Sequence, residues 1–133
     1  FSLVTETVFD YPHSFRTEKI WKPIAIGHPF VVASNAGYYR DLHDLGFRTF
    51  GNLIDESFDQ ETDNAKRLSK LVHQIEWLCQ QDLAKFVQES YNVCKYNQQH
   101  LLEVVSKWRS QLPDQFFNLI NKINNVIVII FYK

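Results

Sequence analysis

The first apolar run, FSLVTET, is rich in β-branched and aliphatic residues and gives way at DYPHSF, where Pro12 breaks any hydrogen-bonded ladder. That predicts a strand over residues 2–7. From Thr17 the spacing changes: Ile20, Trp21, Ile24 and Ala25 recur at helical intervals, and Gly27 offers the left-handed residue that ends a helix. The expectation is a short helix over residues 17–26, bent by Pro23, which lacks an N–H to donate. PFVVAS, residues 29–34, is unbroken apolar sequence of the kind a parallel sheet buries on both faces. Tyr38, Tyr39, Leu42 and Leu45 mark a helix over 36–45 closed by Gly46, and residues 47–50 read as a third short strand.

Strand, helix, strand, helix, strand with short turns is the signature of right-handed βαβ units. Beyond the acidic loop IDESFDQETD the period is helical. Leu68, Leu71, Val72, Ile75 and Leu78 make one amphipathic face, and Leu83, Val87, Tyr91, Cys94, Leu101, Val105 and Trp108 make another. Pro113 and Asp114 open a further helix carrying Phe116, Leu119, Ile120 and Ile123, and VIVIIFYK reads as a strand or a helix end. The expected class is α/β: a partial Rossmann-like parallel sheet of about three strands in residues 1–60, then a long helical half over 61–133, together one domain.

Charge and composition narrow what such a domain can do. Fourteen basic residues against 15 acidic ones leave a net charge of −1, so no global field draws nucleic acid or an anionic membrane. Aromatics make up 15% of the chain but are not interleaved with a basic stripe, which assigns them to core and partner-facing surface rather than to base stacking. The longest apolar run, Val126 to Tyr132, falls far short of the roughly 20 residues a membrane span needs. With no leader pattern either, the expected compartment is cytoplasmic. Cys79 and Cys94 read as reduced, buried structural thiols, and the scattered histidines form no metal-ligand spacing. No nucleophile elbow, P-loop or GxGxxG is present, so covalent catalysis has no candidate and the catalytic residues are unassigned. A chain that opens inside a strand predicts neighbouring strands supplied by a preceding N-terminal part or by a homo-oligomer.

One local charge pattern stands out. Thr17 is placed to cap its helix, yet Arg16 and Lys19 bracket a helix start that already carries about half a positive charge. An anion belongs there. In open α/β sheets ligands lie beyond the carboxyl ends of the strands, which gathers Glu6 after the first strand, Arg16, Thr17, Glu18 and Lys19 at the helix start, and Ser34 and Asn35 after the next strand. A nucleoside diphosphate suits this set, its pyrophosphate between Arg16 and Lys19 and its ribose diol on a carboxylate. The plainer alternative leaves Arg16 and Lys19 as solvated charges neutralised by Glu18. The acids from Asp55 to Asp63 fit no calcium loop and read as a solvated loop that caps the following helix.

The segments VTETVF, FRTEKIWKPIAIGHPFVV and LGFRTF resemble the C-terminal, donor-binding part of glycosyltransferases with two Rossmann domains. TEKI in particular resembles the motif of the α-1,3-fucosyltransferases. The wider pattern, with GHPF and IDES, is also similar to uncharacterised proteins of marine bacteria and viruses. The likeness spans about residues 3 to 60. It implies a nucleotide-sugar donor as ligand, with Glu18 on the ribose and Lys19 on phosphate; the reading built on this adds Arg16 at the diphosphate and Glu6 near the sugar. It also implies a second, N-terminal domain that holds the acceptor and the general base. The alternative function is a non-enzymatic interaction or structural module that uses its aromatic and helical surface.

Overall fold

A computed structural model describes residues 1–111 together with Asp114 and Phe116. The rest of the helix expected beyond Pro113, and the VIVIIFYK run, lie outside the described residues. Phe1–Leu101 form one compact unit and a second begins at Leu102. Within the second, Ser110 Oγ donates to the Lys107 carbonyl at 2.8 Å.

The α/β class is present as a two-stranded parallel sheet followed by a mainly helical half. β1 (Ser2–Thr5) runs parallel to β2 (Phe30–Ala33), with Ser2 opposite Phe30 and Thr5 opposite Ala33. The ladder extends one residue further, where the Glu6 amide donates to Ala33 O at 3.0 Å. Glu6 is therefore held at the carboxyl edge of the sheet.

The crossover helix α1 (Glu18–Ala25) begins where expected, with the Thr17 side chain accepting the Lys19 amide at 3.3 Å. Ile20 and Ile24, one turn apart, are fully buried, a contribution of roughly 1.5–3 kcal/mol each. Pro23 lies inside the helix, and its carbonyl takes the His28 amide at 2.9 Å, turning the chain back toward β2. α2 (Tyr38–Asp44) buries Tyr38, Tyr39 and Leu42. Past its end, Gly46 has φ 89°, and a Cβ there would lie 2.6 Å from the His100 ring, so conformation and space both require glycine.

Residues 47–50 are not a third strand. The backbone of Arg48 is paired, but with a side chain: its amide donates to Asn97 Oδ1 and its carbonyl accepts from Asn97 Nδ2, both at 2.8 Å. Phe47 N donates to Leu42 O and Phe50 N to Glu56 Oε1. With these groups used, no ladder to β1 or β2 forms, although Phe50 still packs edge-on against Phe30 at 5.2 Å between ring centroids.

A 3-10 turn (Ser57–Gln60) leads into α3 (Asn64–Cys79), which Asp63 caps through the Lys66 amide at 2.9 Å, and α4 spans Leu83–Gln111. Both helices are rotated from the expected faces. On α3 the buried positions are Arg67, Leu71, Gln74 and Leu78, while Leu68 and Val72 are exposed; on α4 they are Phe86, Ser90, Cys94 and Asn97, while Leu83, Val87 and Tyr91 are exposed. Arg67 and Asn97 set these rotations through the hydrogen bonds they make inside. Both cysteines are free thiols, but only Cys94 is buried and Cys79 is exposed. Among the described residues no helix is long and apolar enough to cross a membrane.

Candidate functional site

Two helices point their N-terminal ends at the carboxyl edge of the sheet, and the chain supplies a buried carboxylate to each. At α1 it is Glu6. Its carboxylate accepts the Thr17 hydroxyl at 2.5 Å, the Thr17 amide at 3.2 and 3.3 Å, and the Tyr38 hydroxyl at 2.6 Å. The anion that the Arg16-Thr17-Glu18-Lys19 pattern calls for is thus already present. Burial, and then the bond to Glu6, push the Tyr38 phenol well above its ordinary value, so it stays protonated and donating.

At α2 the carboxylate is Asp59. The N-cap residue Gly37 has no side chain to offer, and Asp59 caps the helix from the 3-10 turn, with Oδ1 accepting the Tyr39 amide at 3.0 Å and its own carbonyl accepting Gly37 N at 2.7 Å. Burial raises the Asp59 carboxyl above the usual range, and the amides of the first turn pull it partly back.

Around the other residues drawn from the sequence the bonding is also explicit. Arg16 donates to Ser14 Oγ at 3.2 Å and lies 3.7 Å from Asp41. Lys19 Nζ donates to Thr5 O, the last carbonyl of β1, at 3.0 Å. The Glu18 side chain is 69% exposed, with Lys22 beside it at 4.0 Å. Ser34 and Asn35 are buried and bonded within their own turn, Ser34 Oγ to Asn35 Oδ1 at 3.1 Å and Asn35 Nδ2 to Ala36 O at 3.0 Å.

Next to this edge lies a cleft of about 790 Å³. It runs between the loop at Asp10 and Tyr11, the helix α2 at Arg40 and His43, and the segment from Glu56 to Asn64, with Arg67 in its wall. None of the seven residues singled out from the sequence lines it. Arg67 is 2% exposed and joins four segments: Nε donates to Ser34 O, Nη1 to Glu61 O, and Nη2 to Phe9 O and Asn64 Oδ1, with the guanidinium 4.4 Å from the Phe9 ring centroid.

The acidic loop is only partly the solvated loop its composition suggests. Asp55 is exposed and is held below the carboxylate range by the Ser57 amide and hydroxyl, whereas Glu56 is half-buried and raised by that burial. Glu56 Oε2 accepts the Thr49 hydroxyl at 2.7 Å, and Thr49 Oγ1 lies 2.8 Å from His43 Nε2. His43, Thr49, Glu56, Asp59 and Arg67 were not legible as site residues. Among the described residues no group of three or more metal-ligating side chains converges. No protein-family model, curated protein or solved structure matches this chain.

Proposed function

We propose that the carboxyl edge of β1 and β2 is the donor-binding half-site of a glycosyltransferase-like protein, taking the nucleoside diphosphate end of a nucleotide sugar. The observation that supports it most is the placement of Glu18 and Lys19 in the first turn of the crossover helix, directly beyond a parallel strand. Glu18 is exposed there, free to accept two hydrogen bonds from a ribose diol. The Lys19 ammonium, at the last carbonyl of β1, meets the diphosphate and offsets charge that grows as the leaving group departs. Glu6 fills the amides at the helix start, so its part is to fix Thr17 and the entry to α1, with the diphosphate lying outward on Lys19 and Arg16.

Isothermal titration of the full chain with a nucleoside diphosphate at low salt tests this reading. Saturable binding is expected, weakened about tenfold or more in Lys19→Ala, since a charge-assisted bond is worth roughly 1.5–3 kcal/mol. Glu18→Gln is expected to weaken the nucleoside diphosphate while sparing inorganic pyrophosphate, which has no ribose. Absence of binding at millimolar ligand overturns the reading and favours an interaction module.

A further inference from the structure

The two edges of the sheet are finished differently. Successive residues of a strand turn their backbone groups to opposite sides, and the bonds from the Ser2 amide to Pro29 O at 2.8 Å and from the Glu6 amide to Ala33 O at 3.0 Å fix which side of β1 faces β2. Ser2, Val4 and Glu6 face inward, so Leu3 and Thr5 face out. On the far side of β2 the outward groups are met by side chains: Val32 N donates to Tyr39 Oη at 3.0 Å, and just past the strand Ser34 O accepts Arg67 Nε at 3.1 Å. That edge is sealed. On β1 the Lys19 ammonium takes one lone pair of Thr5 O at 3.0 Å, while Leu3 N, Leu3 O and Thr5 N have no partner among the described residues. Leu3 is 48% exposed and Thr5 is exposed as well, so backbone groups and side chains lie open together here, whereas Val4 between them is buried.

We propose that the β1 edge is a self-association surface whose occupant is a second copy of this chain, its own β1 added antiparallel across a two-fold axis at Val4. The register follows from the two outward residues. Leu3 stands opposite Thr5 of the second copy, each donating its amide to the other's carbonyl, and the two-fold axis repeats the pair between Thr5 and the second copy's Leu3. Thr5 O accepts on its second lone pair, so Lys19 stays in place. Val4 meets Val4 of the second copy on the buried face, where β-branched neighbours pack well. A second copy suits this edge better than an unrelated strand because it carries the same unmet groups and the assembly then closes. The resulting four-stranded sheet ends on the edge sealed by Tyr39 and Arg67 at each side, so pairing stops at two copies. It also replaces a sheet of two strands, a size that is marginal alone.

Sedimentation equilibrium and amide hydrogen exchange on the full chain, with no nucleotide present, test this. A reversible monomer–dimer equilibrium is expected, and the Leu3 and Thr5 amides are expected to exchange about fivefold or more slowly in the associated protein than in the dilute one. Val4 and Glu6, already facing β2, are expected to keep their rates. Leu3→Pro removes an outward donor and no inward group, at an edge position where a strand tolerates proline. Its dimer is expected to be about tenfold weaker or more, with an unchanged circular dichroism spectrum, since the two-fold axis doubles the loss. Leu3→Ala keeps the amide and is expected to weaken the dimer less than proline does. A chain that stays monomeric up to millimolar concentration overturns the proposal. A dimer whose Leu3 and Thr5 amides keep their rates overturns it too, because the contact then lies on another surface. Equal protection of both amides at every dilution does the same, since the edge is then covered within one chain. The exchange arm uses the wild type, so it decides the matter even where Leu3→Pro fails to fold.

Discussion

Tyr38 donates its hydroxyl to Glu6 across 2.6 Å, joining the first turn of α2 to the residue that follows β1. The two are 32 positions apart in the chain, and the same carboxylate holds Thr17 at the start of α1. One buried acid therefore sets the mutual placement of both helix starts at the sheet edge.

Tyr38→Phe removes one of Glu6's bonds and leaves the others, so unfolding by urea is expected to show a loss of roughly 1 kcal/mol. Glu6→Ala strands the Tyr38 hydroxyl and the Thr17 amide and is expected to cost about 2 kcal/mol or more. In a double-mutant cycle the two losses are expected to be non-additive; simple additivity counts against the shared carboxylate as the organising contact.

Arg67 holds three backbone carbonyls, those of Ser34, Glu61 and Phe9. Arg67→Met, of similar length but without donors, is expected to destabilise by about 3 kcal/mol or more. Arg67→Lys keeps the charge and loses the planar fork, and is expected to recover less than half of that loss in the same urea melts. Full recovery by lysine would show that charge alone, not the fork, matters at this position.

Glu56 and Asp59 predict an unusual pH dependence. Burial raises both carboxyls, so the folded chain holds their protons more tightly than the unfolded one. Their contribution to stability is fully present below the unfolded carboxylate value and is lost as pH rises through the raised folded value. Asp55, held low by Ser57, works in the opposite sense, losing its contribution as pH falls. Comparing wild type with Glu56→Gln cancels that background. The advantage of the wild type is expected to shrink as pH rises above the unfolded carboxylate value in urea melts; an advantage that grows with pH there contradicts the burial argument.

Gln74 is 9% exposed, and its Nε2 has no hydrogen-bond partner among the described residues. Leaving a buried donor unpaired costs about 1–3 kcal/mol. Gln74→Leu, which fills similar space without the donor, is expected to raise the thermal midpoint, read by circular dichroism.

The elements that the sequence made legible are those where one local signal decides. The Thr17 cap with Ile20 and Ile24 predicted α1, the PFVVAS run predicted β2, and Gly27 and Gly46 marked the helix ends. Where buried polar groups decide, the apolar pattern misled. Leu68 and Val72 outscored Arg67 as inward-facing residues, and Leu83, Val87 and Tyr91 outscored Ser90 and Asn97, because periodicity cannot register a hydrogen bond to a residue 33 or 49 positions away. The same blindness hid the cleft. His43 and Glu56 look unrelated along the chain until Thr49 brings them together.

Asn97 has a consequence beyond the fold itself. A non-helical segment such as Phe47–Phe50, with its backbone groups open, is a template on which another chain can add a strand. Here the Arg48 donor and acceptor are both occupied by one carboxamide that is 1% exposed, and the Arg48 guanidinium lies 3.7 Å from the Tyr96 ring centroid, on the same helix as Asn97. A single side chain thus works as a permanent one-residue strand, matching this segment while offering no edge of its own on which intermolecular pairing could propagate.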